Sequence, residues 1–219
     1  MRGDWTELLA GALAHDIGNL AHGLSSAQRL TRAGAADDFE VAEWAAFVER
    51  DVDRLRKLGI RLRALATARE VQSSARLDDA CAGALAEVGS DGGRVRCADS
   101  LPFDSRVRGS AGAVSAAIVS LLEHALAASP ISAQIDLAVR DAGGGAVIVA
   151  IAAPEASTLG AIGRAPLDAL LDTQLRDRRG DLSLVLAGAV AEALGGAVYV
   201  ASDSKRGLEL ELHLAAAPA

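Results

Sequence analysis

The sequence predicts an α+β fold: a long antiparallel helical hairpin followed by a sandwich of helices on an antiparallel sheet. Three observations lead there. Apolar residues keep helical spacing through two long stretches in the first third of the chain. Short alternating stretches and glycine-rich turns dominate the remainder. Between them, around Gln72-Ser73-Ser74, both patterns break, which sets the expected boundary between a hairpin unit over residues 1–72 and a sandwich unit over residues 73–219.

Asp4-Trp5-Thr6-Glu7 has the form of a capping box, and Leu8, Leu9, Ala12, Leu13, Leu20, Leu24, Ala27 and Leu30 continue at helical spacing, so a first helix is expected to run to about Arg32. Gly34 ends it. After the short connection Ala35 to Asp38, the positions Val41, Trp44, Ala45, Val48, Val52, Leu55, Leu58, Leu62 and Leu65 mark a second helix of similar length. Two amphipathic helices cannot cover both of their own stripes. The hairpin must pack on the rest of the chain or pair with a second copy as a dimeric four-helix bundle, and the homodimer is the expectation.

In the second unit, Leu77-Asp78-Asp79 opens a helix to about Val88, and Arg94 to Ala98 alternates as a strand. Ser110 to Ser129 reads as a helix stopped by Pro130. Gln134 to Arg140 and Ala146 to Ala153 read as strands joined through Ala142-Gly143-Gly144-Gly145. Leu167 to Leu175 and Leu182 to Leu194 read as helices. Gly195-Gly196 then leads into strands over Ala197 to Ala201 and Leu208 to Leu214, across Ser204-Lys205-Arg206-Gly207.

With 219 residues, 51% of them hydrophobic, the chain is long enough to bury one modest core beside a helical module. A net charge of −7 argues against nucleic acid or an anionic membrane surface as a partner. No signal peptide is readable, and the most apolar stretches, Ala146 to Ala153 and Leu182 to Leu194, are too short for a membrane span or contain Glu192, so a cytoplasmic protein is expected. Cys81 and Cys97 lack the close spacing of a metal site or a redox pair and read as core thiols in a reducing compartment.

The candidate chemistry lies midway along the first helix, in His15-Asp16-Ile17-Gly18-Asn19. A histidine followed by an acid, with Asn at the fourth position after it, in a hairpin that precedes an α/β sandwich, resembles two-component histidine kinases. The resemblance covers nearly the whole chain, with the hairpin as dimerisation and phosphotransfer unit and the sandwich as a kinase-type ATPase domain. It implies that His15 is a phosphoryl acceptor. A neutral imidazole is nucleophilic near pH 7 and its phosphoryl adduct is energy-rich, so the group passes reversibly to and from an aspartyl phosphate. Asp16 is expected to hold the distal ring nitrogen or to stabilise the imidazolium. Asn19, one turn on, is expected to position the phosphoryl group or a water. His22 reads as a bundle-surface residue. The basic run Arg50, Arg54, Arg56, Lys57, Arg61, Arg63 and Arg69 reads as a solvated face, or as a patch attracting an acidic receiver pocket.

The three ATP-binding boxes of that family are altered. In Ser120-Leu121-Leu122-Glu123-His124, His124 stands where the magnesium-binding Asn belongs, and magnesium prefers hard oxygen ligands. Ala152-Ala153-Pro154-Glu155-Ala156-Ser157 has neither the Asp nor the glycines of the adenine box. Asp181 and Ser183 replace glycines that let backbone N–H groups approach phosphate. Neither ATP binding nor a resident metal is therefore expected. The nearest functional resemblance is to dimeric histidine phosphotransferases on a kinase-like scaffold, although Leu20-Ala21-His22 stands where those proteins often carry a Pro. The resulting expectation is a phosphorelay protein that shuttles phosphoryl groups between response-regulator receiver domains, magnesium arriving with the receiver. The alternatives are a non-catalytic regulator of a receiver or kinase, an unorthodox histidine kinase and a receiver phosphatase.

Overall fold

The structure, a computed structural model, describes residues 5–32, 38–68, 73–98, 105–157, 161–172 and 181–217. Helices α1 (Trp5–Arg32) and α2 (Asp38–Ala68) form the expected hairpin. The capping residue Asp4, the connection at Gly34 and the boundary residue Gln72 lie outside the described residues.

The second unit begins with β1 (Ser74–Arg76), followed by α3 (Leu77–Val88), a 3₁₀ turn, β2 (Val95–Cys97) and β3 (Arg106–Arg108). Helix α4 (Ala111–Ala128) is capped by Ser110, whose hydroxyl accepts from the Ala113 N–H at 3.1 Å. Strands β4 (Ile135–Gly143) and β5 (Ala146–Ala153) are joined through glycines, and Gly143, Gly144 and Gly145 all hold positive φ. Then come β6 (Ile162–Pro166), α5 (Leu167–Asp172), α6 (Leu182–Ala193), β7 (Ala197–Asp203) and β8 (Gly207–Ala215).

The main sheet runs β2-β4-β5-β8-β7-β6, while β1 pairs only with β3. It is antiparallel except where β2 runs parallel to β4, a pairing that the expectation of an antiparallel sheet did not include. One face carries Leu137, Val149, Ile151, Leu208, Leu210 and Leu212 into the core beneath the helices. The other face is polar, as alternation requires: Arg96 bonds Asp136, and Arg164 bonds Glu211.

The molecule has three layers, because α1 and α2 lie on the outside of α4 and α6. Leu8, Leu9 and Ala12 of α1 and Leu58, Leu62 and Leu65 of α2 join the same core as the sandwich. Being the middle layer explains why α4 is buried on nearly all sides, from Ala113 to Leu126. By length and composition α4 is also long and apolar enough to cross a membrane, and 67% of it is buried in this fold.

Candidate functional site

His15 stands on the exposed side of α1, and its ring is held by its own helix. The Asn19 side-chain amide lies 3.1 Å from the imidazole Nε2. Donation from that amide leaves the Nε2 lone pair in use as an acceptor and the ring proton on Nδ1, the tautomer in which Nε2 is the nucleophilic nitrogen. The helix brings these two together because positions i and i+4 share a face. His22 is exposed, as expected of a surface residue.

Asp16 is turned the other way. It is buried and lines a cleft of about 220 Å³ with Arg50, Asp53, Lys57 and Arg61 of α2, Glu123 of α4 and Leu182, Ser183 and Leu186 of α6. Consecutive helical residues diverge by about 100°, so an exposed His15 and a cleft-facing Asp16 are both natural on one helix. Asp16 thus belongs to the seam between hairpin and sandwich.

The basic run of α2 divides in the same way. Arg50, Arg56 and Arg63 are exposed, and Lys57 bonds Asp53 one turn earlier at 3.0 Å. Arg61 departs from the solvated-face reading: it is 5% exposed. Its Nη1 and Nη2 donate to both oxygens of Glu123 at 2.5 and 2.6 Å, and its Nε donates to Glu87 of α3 at 2.8 Å. Burial works against this guanidinium, but the bonds and charges of Glu123 and Glu87 outweigh it and hold its proton more tightly than usual. The sequence carries a signal for this burial. Arg61 shares the core-facing spacing of Leu58 and Leu65, and Glu123 is the sole acid of a mostly apolar helix. The side chain of Arg54 and all of Arg69 lie outside the described positions.

Two of the altered boxes meet in space. His124 of α4 lies against the start of α6, its Nδ1 2.8 Å from Asp181 Oδ2. Asp181 Oδ1 meanwhile accepts from the Leu184 N–H at 3.2 Å and caps α6. The His124 ring is buried, and Nε2 has no hydrogen-bond partner among the described residues. Ser120, one turn earlier, donates back to the Ala116 carbonyl at 2.8 Å. The Ala153 to Ser157 turn closes on the protein's own backbone, with the Ala156 N–H on the Ala153 carbonyl and the Ser157 N–H on that of Ala128. Gly180 lies outside the described residues. Among those residues, no group of His, Cys, Asp and Glu side chains has the arrangement of a metal site.

A helical hairpin with His15 and Asn19 exposed on one face, set against helices on a curled sheet, defines a histidine-kinase-like fold. Solved histidine kinases share it. The chain is similar to Acinetobacter baumannii histidine kinase AdeS at 15% identity, covering 93% of this chain and 96% of that one with a TM-score of 0.60. It is similar to full-length ShkA, solved in complex with AMPPNP, at 20% identity and a TM-score of 0.56, covering 97% of this chain. The chain spans 46% of the length of ShkA. Over 68% of this chain it is also similar to the mycobacterial sensor histidine kinase MprB, at 15% identity and a TM-score of 0.54. No protein-family model matches the chain, and a comparison with curated proteins finds no match.

Proposed function

We propose that this protein acts in two-component signalling as a histidine phosphotransferase, carrying phosphoryl groups between receiver-domain aspartates through His15 without using ATP. The observation that carries the reading is the Asn19 amide at the exposed His15 Nε2, which is consistent with an unprotonated Nε2 and puts a hydrogen-bond donor beside the atom that would take the phosphoryl group. As the Asn19 amide turns from the Nε2 lone pair to a phosphoryl oxygen, Nε2 attacks the phosphorus of a receiver's aspartyl phosphate. The N–P bond forms as the P–O bond to the aspartate breaks, and the carboxylate leaves with the electron pair. The reverse step passes the group to a second receiver. Magnesium is supplied by the receiver's own acidic pocket.

The residues at the ATP boxes support a role without nucleotide. His124 offers a nitrogen where magnesium favours oxygen, and it is already engaged by Asp181. The Asp181 carboxylate occupies the cap of α6, where polyphosphate would meet a negative charge instead of free backbone N–H groups.

The reading includes a homodimer in the cytoplasm. Ile17 and Leu24 of α1 and Val52, Leu55 and Ile60 of α2 are large apolar side chains left exposed by one copy. Ile17 is two positions from His15, about 200° around the helix, so a second hairpin seated on Ile17 leaves His15 open. A two-fold pairing would present one His15 on each side.

The test is transfer. Purified protein is incubated with radiolabelled phosphorylated receivers from the same genome, beside His15→Ala and a labelled-ATP control. Label from a receiver on the unaltered chain only is the expected result. Label from ATP would make the chain a kinase, and label from neither source, with receiver binding retained in His15→Ala, would make it a binding regulator. Sedimentation of the chain beside Leu55→Asp tests the dimer, with a dimer that dissociates in the variant expected.

A further inference from the structure

We propose that the hairpin and the sandwich are bolted into one rigid body by a two-point clamp, Arg61 on α2 and Trp5 on α1, which keeps α4 and α6 under the hairpin. This inference stands independently of any phosphoryl chemistry at His15. At the first point, three elements meet on one guanidinium: Arg61 of α2 donates to Glu87 of α3 and, through a two-pronged contact, to Glu123 of α4. A guanidinium has a fixed planar fork, so these bonds set the angle of α2 as well as its distance. The group is buried, and sliding α2 along α4 would strand its charge away from water.

At the second point the contact is steric. The Trp5 indole lies against Gly188 on α6, so closely that a Cβ added there would overlap the ring. Gly188 is buried in the middle of α6, where glycine is costly and any larger residue would push the ring out. Between the two points, Leu8, Leu9, Ala12, Leu58, Leu62 and Leu65 close an apolar seam. The clamp thus acts on the same two helices that carry His124 and Asp181. His15 and Asn19, on the open side of α1, stay outside it.

The experiment uses the full chain with Trp44→Phe, which leaves Trp5 as its single tryptophan. Acrylamide quenching and emission wavelength then report how well the indole is covered. In this parent, blue-shifted emission and weak quenching are expected. Gly188→Leu displaces the ring directly, so emission moves to the red and quenching rises toward that of free indole. The decisive variant is Arg61→Gln, which touches nothing at Trp5: a rigid body requires that it too raises Trp5 quenching, and Arg61→Lys, which keeps the charge but loses the fork, should fall between. Should Arg61→Gln fail to fold by circular dichroism, Arg61→Lys and Glu123→Gln make the same comparison. A parent quenched like free indole, or Arg61 and Glu123 variants that leave Trp5 as protected as in the parent, would overturn the clamp.

Discussion

His124 Nδ1 and Asp181 Oδ2 stand 2.8 Å apart and join the middle of the sandwich to the first turn of α6. The same carboxylate caps that helix through the Leu184 N–H. One side chain therefore serves a helix end and a buried imidazole whose other nitrogen has no partner among the described residues.

Asp181→Ala should accordingly cost more than an ordinary cap. Loss of the cap contributes about 1 kcal/mol, and stripping a buried imidazole of its bond about 1 kcal/mol more. Asp181→Asn, which keeps a capping oxygen, should cost less. In urea denaturation the double variant with His124→Ala should be less destabilised than the sum of the two singles, because the pair is lost only once. Additive losses would mean that the two residues are energetically independent.

Asn19→Ala should leave His15 able to accept a phosphoryl group but slow its acceptance. The bond the amide would make to the incoming phosphoryl oxygen in the transition state, about 1 kcal/mol net, corresponds to roughly a fivefold fall in initial transfer rate when it is removed. Asn19→Asp reverses the amide's role, since a carboxylate cannot donate to Nε2, and it should be slower still while repelling the incoming phosphoryl charge. A transfer rate unchanged in Asn19→Ala would remove Asn19 from the site.

The outer sheet face sets an acid limit. Burial pushes the Glu211 carboxyl up, but the bond and charge of His213 and of Arg164 more than offset this, leaving it below its ordinary value of 4.5. A depressed carboxyl stabilises the fold above its unfolded value, and that contribution is lost as pH falls through the lower folded one. Melting temperature should therefore drop on acidification below about pH 4.5, and Glu211→Gln should show a shallower drop over the same window. Equal acid sensitivity in the variant would assign the loss to other carboxylates.

The long elements were legible because spacing alone determines them. The helical repeat of Leu8 through Leu24 and of Val48 through Leu65 marks α1 and α2, and the glycine turn before Ala146 marks the β4-β5 hairpin. Strands β1 and β3, three residues each, are too short to show a period, and β6 carries Gly163 and Pro166, which disguise it. The substitutions at His124 and Asp181 were visible individually. Their contact was not, because 57 residues separate them and only the fold brings them together. Asp16 was assigned to the imidazole from adjacency in sequence, whereas helical geometry sends it into the cleft. Arg61 is a surface charge by residue type alone, and its burial follows from its place in the apolar repeat.

Arg61 gives the sharpest stability prediction. Arg61→Ala removes the shared cation and leaves Glu87 and Glu123, both partly exposed, without their common partner. Breaking one side of a fully buried ion pair costs about 3 kcal/mol, and water reaching the two carboxylates brings the expected cost here to about 2 kcal/mol. The cost arises from the stranded carboxylates more than from the lost attraction. A chain carrying Arg61→Met with Glu87→Gln and Glu123→Gln, which has no charge left to strand, should therefore recover most of the loss in a urea titration. If the triple variant is no more stable than Arg61→Ala, the guanidinium's own hydrogen bonds, and not the stranding of charge, are what hold α2 to α3 and α4.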